Sequence, residues 1–142
     1  MTAYRDVVVA LDFSPASHRV LEHAKGVTDP AGTLHLVHVV EWVPTVVEGA
    51  FAGYGHPREM RAIHEASVAK LADFARLCGT LRTTTDVVEG NVALSIVELS
   101  DRYAADLLVI GTRGRTRASR LLLGHVMERV LRQANCPVLV VR

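Results

Sequence analysis

Five short runs of branched apolar residues, separated by segments with helical periodicity, dominate this sequence. Val7–Leu11 reads VVVAL and Leu107–Ile110 reads LLVI, without the alternation expected of a half-exposed strand. Continuous apolar runs of this kind predict strands that are covered on both faces. The other three runs are Leu34–Val40, Thr83–Val88 and Val138–Val141.

Four helices are predicted between these strands from apolar residues that recur three or four positions apart. Ser14 with Pro15 is a typical start for the first helix, and Asn91 is a typical start for the third, because both side chains can cap a backbone N–H group. The second helix is expected to end at Gly79, and the fourth to begin at Gly124.

The resulting element order is β-α-β-α-β-α-β-α-β. Strands that alternate with helices pair in parallel through right-handed crossovers. The pattern therefore predicts the α/β class, with a doubly wound parallel sheet and helices on both faces. The chain has 142 residues, which is enough for one domain, residues 1–142, with its own hydrophobic core.

The composition excludes several classes of function. Sixteen Lys and Arg against fifteen Asp and Glu give a net charge of +1, which provides no general attraction for nucleic acid. No apolar run approaches the roughly 18 residues of a membrane span, and the first residues do not resemble a signal peptide. Cys78 and Cys136 form no CxxC pair and are expected to be buried thiols. We therefore expect a cytoplasmic protein without nucleic-acid or membrane partners.

Glycines after the fourth strand suggest a phosphate-binding loop. Gly111 and Gly114 allow a close approach of the backbone to a ligand, and Gly124, at the expected start of a helix, would present free N–H groups to an anion. In open parallel sheets, ligands bind at the carboxyl ends of the strands, where the strand order reverses. Glycines after a strand also serve as plain turn residues, so the spacing alone leaves both interpretations open.

The arrangement Gly111-x-x-Gly114, nine residues, then Gly124 resembles the nucleotide-binding signature of the universal stress protein family. The resemblance implies a five-stranded parallel sheet of order 3-2-1-4-5, the adenine nucleotide alpha hydrolase-like fold, with the first and fourth strands adjacent. Further matches occur in the same order along the chain: Asp12-Phe13-Ser14, His38-Val39, Glu89-Gly90, Ala105-Asp106-Leu107 and Cys136-Pro137-Val138.

The resemblance also implies an adenine nucleotide as ligand: ATP first, with ADP or AMP as alternatives and Mg²⁺ as a candidate companion of the phosphates. Adenine and ribose would lie against Ala10, Leu11, Asp12 and the backbone of Val39. The remaining candidates, at the end of the fourth strand and around the phosphates, are Ile110, Gly111, Arg113, Gly114, Gly124, His125 and Val126.

Two of these residues have alternative interpretations. His125 stands where the nucleotide-binding members have Ser or Thr; an imidazole can donate to a phosphate, but it is larger than a hydroxyl and would narrow the pocket. Asp12 has an alternative role as a carboxylate that stabilises the start of the first helix.

The function implied by the resemblance is regulatory. We expect a stress-response protein that binds ATP with little or no turnover, because the sequence has no Walker A lysine motif and no carboxylate that would obviously activate water. No catalytic or metal-ligating residues are predicted. The alternative is a signalling or protein-interaction module of the same fold that binds no nucleotide. The resemblance also predicts a homodimer through Val138–Val141, an apolar strand that would favour aggregation if it were left unpaired at a sheet edge.

Overall fold

The computed structural model describes residues 3–42, 46–47, 50–51, 57–112 and 117–142. In this part of the chain, no helix combines the length and the apolar character needed to cross a bilayer. The described elements, in chain order, are β1 (Tyr4–Ala10), α1 (Ser17–Val27), β2 (Thr28–Glu41), β3 (Val46–Val47), β4 (Ala50–Phe51), α2 (Pro57–Arg76), β5 (Arg82–Gly90), α3 (Val92–Arg102), β6 (Leu107–Gly111), α4 (Arg117–Gln133) and β7 (Val138–Val141).

Five of these strands form one parallel sheet in the order β5-β2-β1-β6-β7. When only these five strands are numbered along the chain, the order is 3-2-1-4-5, so the predicted doubly wound sheet is confirmed. The order reverses between β1 and β6, which are direct neighbours. The short strands β3 and β4 pair with each other in antiparallel orientation.

The core consists of two apolar layers, one on each face of the sheet. Val7 and Val9 of β1 belong to the layer formed with α1 and α2, whereas Val8 belongs to the layer formed with α3 and α4. All three valines are fully buried. A central strand needs apolar side chains at successive positions because both of its faces are covered, which explains the continuous VVV run.

Two predicted helix starts are wrong. The chain forms a turn after β1, in which the Ser17 N–H donates to the Ser14 carbonyl, and α1 begins only at Ser17. The fourth helix begins at Arg117 and continues through Gly124. Glycine costs a helix interior about 1 kcal/mol relative to alanine, which does not by itself end a helix among good helix formers such as Arg, Leu and Ala. The predicted cap of α3 is confirmed, since the Asn91 side chain accepts a hydrogen bond from the Leu94 N–H.

Candidate functional site

The strand order reverses between β1 and β6, so the carboxyl ends of these two strands lie side by side. Ala10 of β1 lies beside Val37 of β2 on one side and beside Ile110 of β6 on the other. The helix after β1 packs on one face of the sheet and the helix after β6 on the opposite face. The connections therefore diverge from two adjacent strand ends, which is where parallel sheets bind ligands.

The structure brings several of the predicted site residues to this edge. Ala10 and Val39 are half-buried, so both are partly accessible there. The side chains of Leu11 and Ile110 are buried, each in a different core layer. Leu11 and Ile110 can therefore offer mainly backbone groups to a ligand, and the Leu11 N–H already donates to the Val37 carbonyl.

Asp12 is half-buried and holds the turn that leads into α1. Its Oδ1 accepts hydrogen bonds from the Ser14 N–H at 2.9 Å and from the Ser17 hydroxyl at 3.1 Å. The alternative role, in which this carboxylate stabilises the start of the helix, is therefore present in the structure. A carboxylate has about four acceptor positions, and these two hydrogen bonds share one of its oxygens.

Gly111 has a packing role of its own. A Cβ at this position would lie 3.0 Å from Cγ2 of Val20, a buried residue of α1, and 3.9 Å from the Val141 carbonyl oxygen. The glycine therefore lets α1 approach the end of β6 closely. The next residue, Thr112, donates its N–H to the Val141 carbonyl and extends the pairing with β7.

Gly124, His125 and Val126 lie inside α4, beyond its first turn. The expectation that Gly124 presents free N–H groups is wrong, because only the first four N–H groups of a helix lack an intrahelical partner. Gly124 and His125 are exposed, whereas half-buried Val126 packs against the core layer that contains Ile110. Arg113 and Gly114 lie outside the described residues.

His125 is on a polar face of α4. Together with Glu128, Arg129 and Arg132 it lines an open depression of about 390 Å³, in which Arg132 forms an ion pair with Glu128 at 2.7 Å. Across the described residues, no group of three or more His, Cys, Asp or Glu side chains is arranged to hold a metal ion.

Phe13, for which the sequence predicts no role of its own, is central to the turn after β1. Its ring stacks on the His38 ring, with 4.1 Å between the ring centroids. His38 is buried and forms a hydrogen bond with the Leu11 carbonyl, as expected of a histidine in the core or at its rim. The sequence does show an aromatic residue, Phe13, next to the carboxylate of Asp12 at the end of a strand. Its partner, His38, is revealed only by the tertiary contacts.

Comparisons with known proteins agree with this architecture. The family model of the universal stress protein family matches residues 3–142. Universal stress protein MJ0531 of Methanocaldococcus jannaschii is 33% identical over 141 residues, covering 98% of this chain and 82% of that protein.

Two solved structures extend the likeness. A crystal structure of a universal stress protein in complex with cAMP is 30% identical, with a TM-score of 0.67 and coverage of 99% of this chain and 98% of that one. A universal stress protein family member from Burkholderia pseudomallei is 27% identical, with a TM-score of 0.70 and coverage of 97% and 96%. The chain described here belongs to the universal stress protein family.

Proposed function

We propose that this chain is a single-domain, cytoplasmic regulatory protein of the stress response that binds an adenine nucleotide at the carboxyl ends of β1 and β6. The observation that carries the proposal is the reversal of strand order between β1 and β6, with the Asp12 carboxylate in the turn that follows β1. ATP is the first candidate ligand, with ADP and AMP as alternatives and with Mg²⁺ bound through the phosphates.

The chemistry of this edge suits a nucleoside. The Asp12 carboxylate can accept hydrogen bonds from ribose hydroxyls or from the exocyclic amine of adenine. Half-buried Ala10 and Val39 provide apolar surface beside the base. On α4, a Cβ at Gly124 would meet no described heavy atom within 4 Å, so the position has room for a neighbouring ligand group. His125, next to it, can donate a hydrogen bond to a phosphate oxygen.

The family supports the proposal. Relatives are named for a role in stress, and the relative that is 30% identical was solved with cAMP, an adenine nucleotide. Little or no turnover is expected, because the sequence has no Walker A lysine motif to hold a transferred phosphate.

The test is calorimetric titration of the purified protein with ATP and Mg²⁺, and separately with ADP, AMP and cAMP. The critical variant is Gly124→Ala, whose methyl group would enter space assigned to the ligand. Gly26→Ala is its matched control, since Gly26 also lies in a helix, also has no heavy atom within 4 Å of a Cβ, and belongs to α1.

We expect the wild type and Gly26→Ala to bind equally well and Gly124→Ala to bind about tenfold more weakly or worse. Equal affinities of the wild type, Gly26→Ala and Gly124→Ala would show that Gly124 of α4 is not part of the nucleotide site. If the folded wild type binds none of these nucleotides, the nucleotide proposal is wrong, and the alternative of an interaction module is favoured.

We further propose that the protein is a homodimer that pairs through β7. This strand is at the edge of the sheet, and Val138, Leu139 and Val140 are only half-buried there. An edge strand with this composition would otherwise be a site of aggregation. Pairing of β7 with the same strand of a second copy would cover this edge in a twofold-symmetric dimer, the commonest kind of oligomer.

A further inference from the structure

We propose that Phe13 and His38 are positioning residues for the nucleotide site: their stacked rings hold the turn after β1 in the conformation that presents Asp12. This inference rests on the function proposed above and adds two residues that act on the ligand through the shape of the turn. Both residues act through their contacts with the turn rather than through contact with the ligand.

The backbone of Phe13 is in the left-handed region, with φ at +61°. A residue with a Cβ is disfavoured in this region, and a bulky side chain is found there only rarely. Such a conformation persists when the surrounding structure enforces it, and it is concentrated at ligand sites and switches. The contacts of the Phe13 side chain are therefore the interactions that can enforce this conformation.

Contacts with β2 and α2 hold the Phe13 ring. It stacks on His38 of β2 with a centroid separation of 4.1 Å and an interplanar angle of 27°. It also lies 6.0 Å from the Phe74 ring of α2, and the Lys70 ammonium of the same helix lies 5.5 Å from its centroid. Stacking of this kind adds to the burial of apolar area, and a cation over the ring face adds further attraction.

The same imidazole also fixes the residue before Asp12. Nδ1 of His38 lies 2.6 Å from the Leu11 carbonyl oxygen, and since a carbonyl only accepts, Nδ1 carries the proton and donates it. His38 is buried and belongs to a central strand, so it is a rigid support. One side chain thus contacts both residues that flank Asp12 in sequence.

The consequence for binding is preorganisation. The turn takes its unfavourable conformation when the protein folds, so a ligand that contacts Asp12 does not have to order it. Loss of the stacking should therefore weaken binding, even when the Asp12 side chain is intact. Glycine at position 13 is the informative exception, because it adopts the left-handed region without a supporting ring.

The experiment compares Phe13→Ala with Phe13→Gly in the full chain. Both substitutions remove the ring, so they lose the same stacking and the same apolar burial. We expect Phe13→Ala to bind ATP about tenfold more weakly than the wild type, and Phe13→Gly to bind within about threefold of it. If the ring merely filled the core, both variants would lose the same affinity for ATP, and that result would overturn the proposal.

A second variant tests the partner ring. His38→Asn keeps an N–H donor near the position of Nδ1 but removes the stacking surface, and we expect a loss of affinity similar to that of Phe13→Ala. Combining it with Phe13→Gly should restore most of the binding, because glycine no longer needs the support. No recovery in the double variant, with a normal circular dichroism spectrum, would also contradict the proposal.

Hydrogen exchange of the Ser14 amide provides a readout without ligand, since this N–H donates to the Asp12 carboxylate across the turn. We expect faster exchange in Phe13→Ala than in Phe13→Gly or the wild type. If the wild type binds no nucleotide but this order of exchange rates is observed, the proposed function fails and the control of the turn stands. If all variants exchange equally, the positioning role is refuted whether or not nucleotide binds.

Discussion

The Ser17 hydroxyl and the Ser14 N–H donate to the same oxygen of Asp12, at 3.1 Å and 2.9 Å. One carboxylate oxygen therefore joins the end of β1 to the first residue of α1. Its negative charge is also favourable near the positive end of the helix dipole. Asp12 consequently has a structural role that is independent of any ligand, and this role must be separated from a binding role in experiments.

Asp12→Ala removes both hydrogen bonds and should lower the free energy of unfolding by about 1–2 kcal/mol. Asp12→Asn keeps an acceptor oxygen and should cost less than half of that. Ser17→Ala removes one of the two donors and serves as the control. Urea denaturation measures all three, and wild-type stability for Asp12→Ala would show that these hydrogen bonds do not hold the turn.

Gly124→Ala should raise the free energy of unfolding by about 0.5–1 kcal/mol, because alanine is the better residue in a helix interior. Gly26→Ala in α1 should give a similar gain, since a Cβ has room at both positions. Thermal denaturation provides the measurement. No gain at Gly124, with a gain at Gly26, would indicate that α4 is not helical across this position.

Tyr103 should titrate at unusually high pH. Burial raises the pKa of its phenol above the ordinary value of 10.0, and the nearby Asp86 carboxylate, which accepts a hydrogen bond from the hydroxyl, raises it further. The folded state thus keeps this proton at a pH where the unfolded state loses it. The resulting stabilisation is present below pH 10 and is lost as the pH rises through the folded pKa.

Tyr103→Phe isolates this contribution, since it keeps a ring to stack on His35 but removes the ionisable group. The difference in tyrosinate absorbance between wild type and variant reports the titration of Tyr103. The variant should also show a weaker fall in stability across the alkaline range. Identical alkaline slopes for the two proteins would contradict the prediction.

Both thiols should react slowly with a disulfide reagent near neutral pH. Burial raises the pKa of Cys78 and of Cys136, and the carboxylates of Asp101 and Asp106 raise that of Cys136 further. The thiolate is the reactive form, so a raised pKa lowers the rate at a given pH. Half-buried Cys136 should react before buried Cys78, and Cys136→Ser assigns the faster phase. A fast phase that survives this substitution would refute the order.

The proposed dimer can be tested with prolines in β7. The Pro137 carbonyl accepts from Leu108 of β6, and the Val141 carbonyl accepts from Thr112, the residue that follows β6. Because the backbone N–H and C=O groups of alternate residues in a strand point to the same neighbour, those of Leu139 point to β6 and those of Val140 point to the open edge. Val140→Pro should abolish the dimer in light scattering while the fold persists. Leu139→Pro should instead destabilise the fold. A Val140→Pro protein that remains dimeric would place the interface elsewhere.

The sequence by itself determined the fold class. The continuous apolar run around Val8 requires a strand covered on both faces, and alternation with helices then leaves parallel pairing as the solution. The family resemblance supplied the strand order. The cap at Asn91 was also predictable, because capping depends only on residues within one helical turn.

Only the tertiary structure decided where α4 begins, what Gly111 is for, and how the turn at Asp12 is held. The sequence around Gly124 is compatible both with the start of a helix and with its interior, because one glycine costs a helix only about 1 kcal/mol relative to alanine. Gly111 is explained by the approach of Val20, and Phe13 by the ring of His38, and both partners are distant in sequence. Contacts of this kind form between side chains that folding brings together, so local patterns carry no record of them.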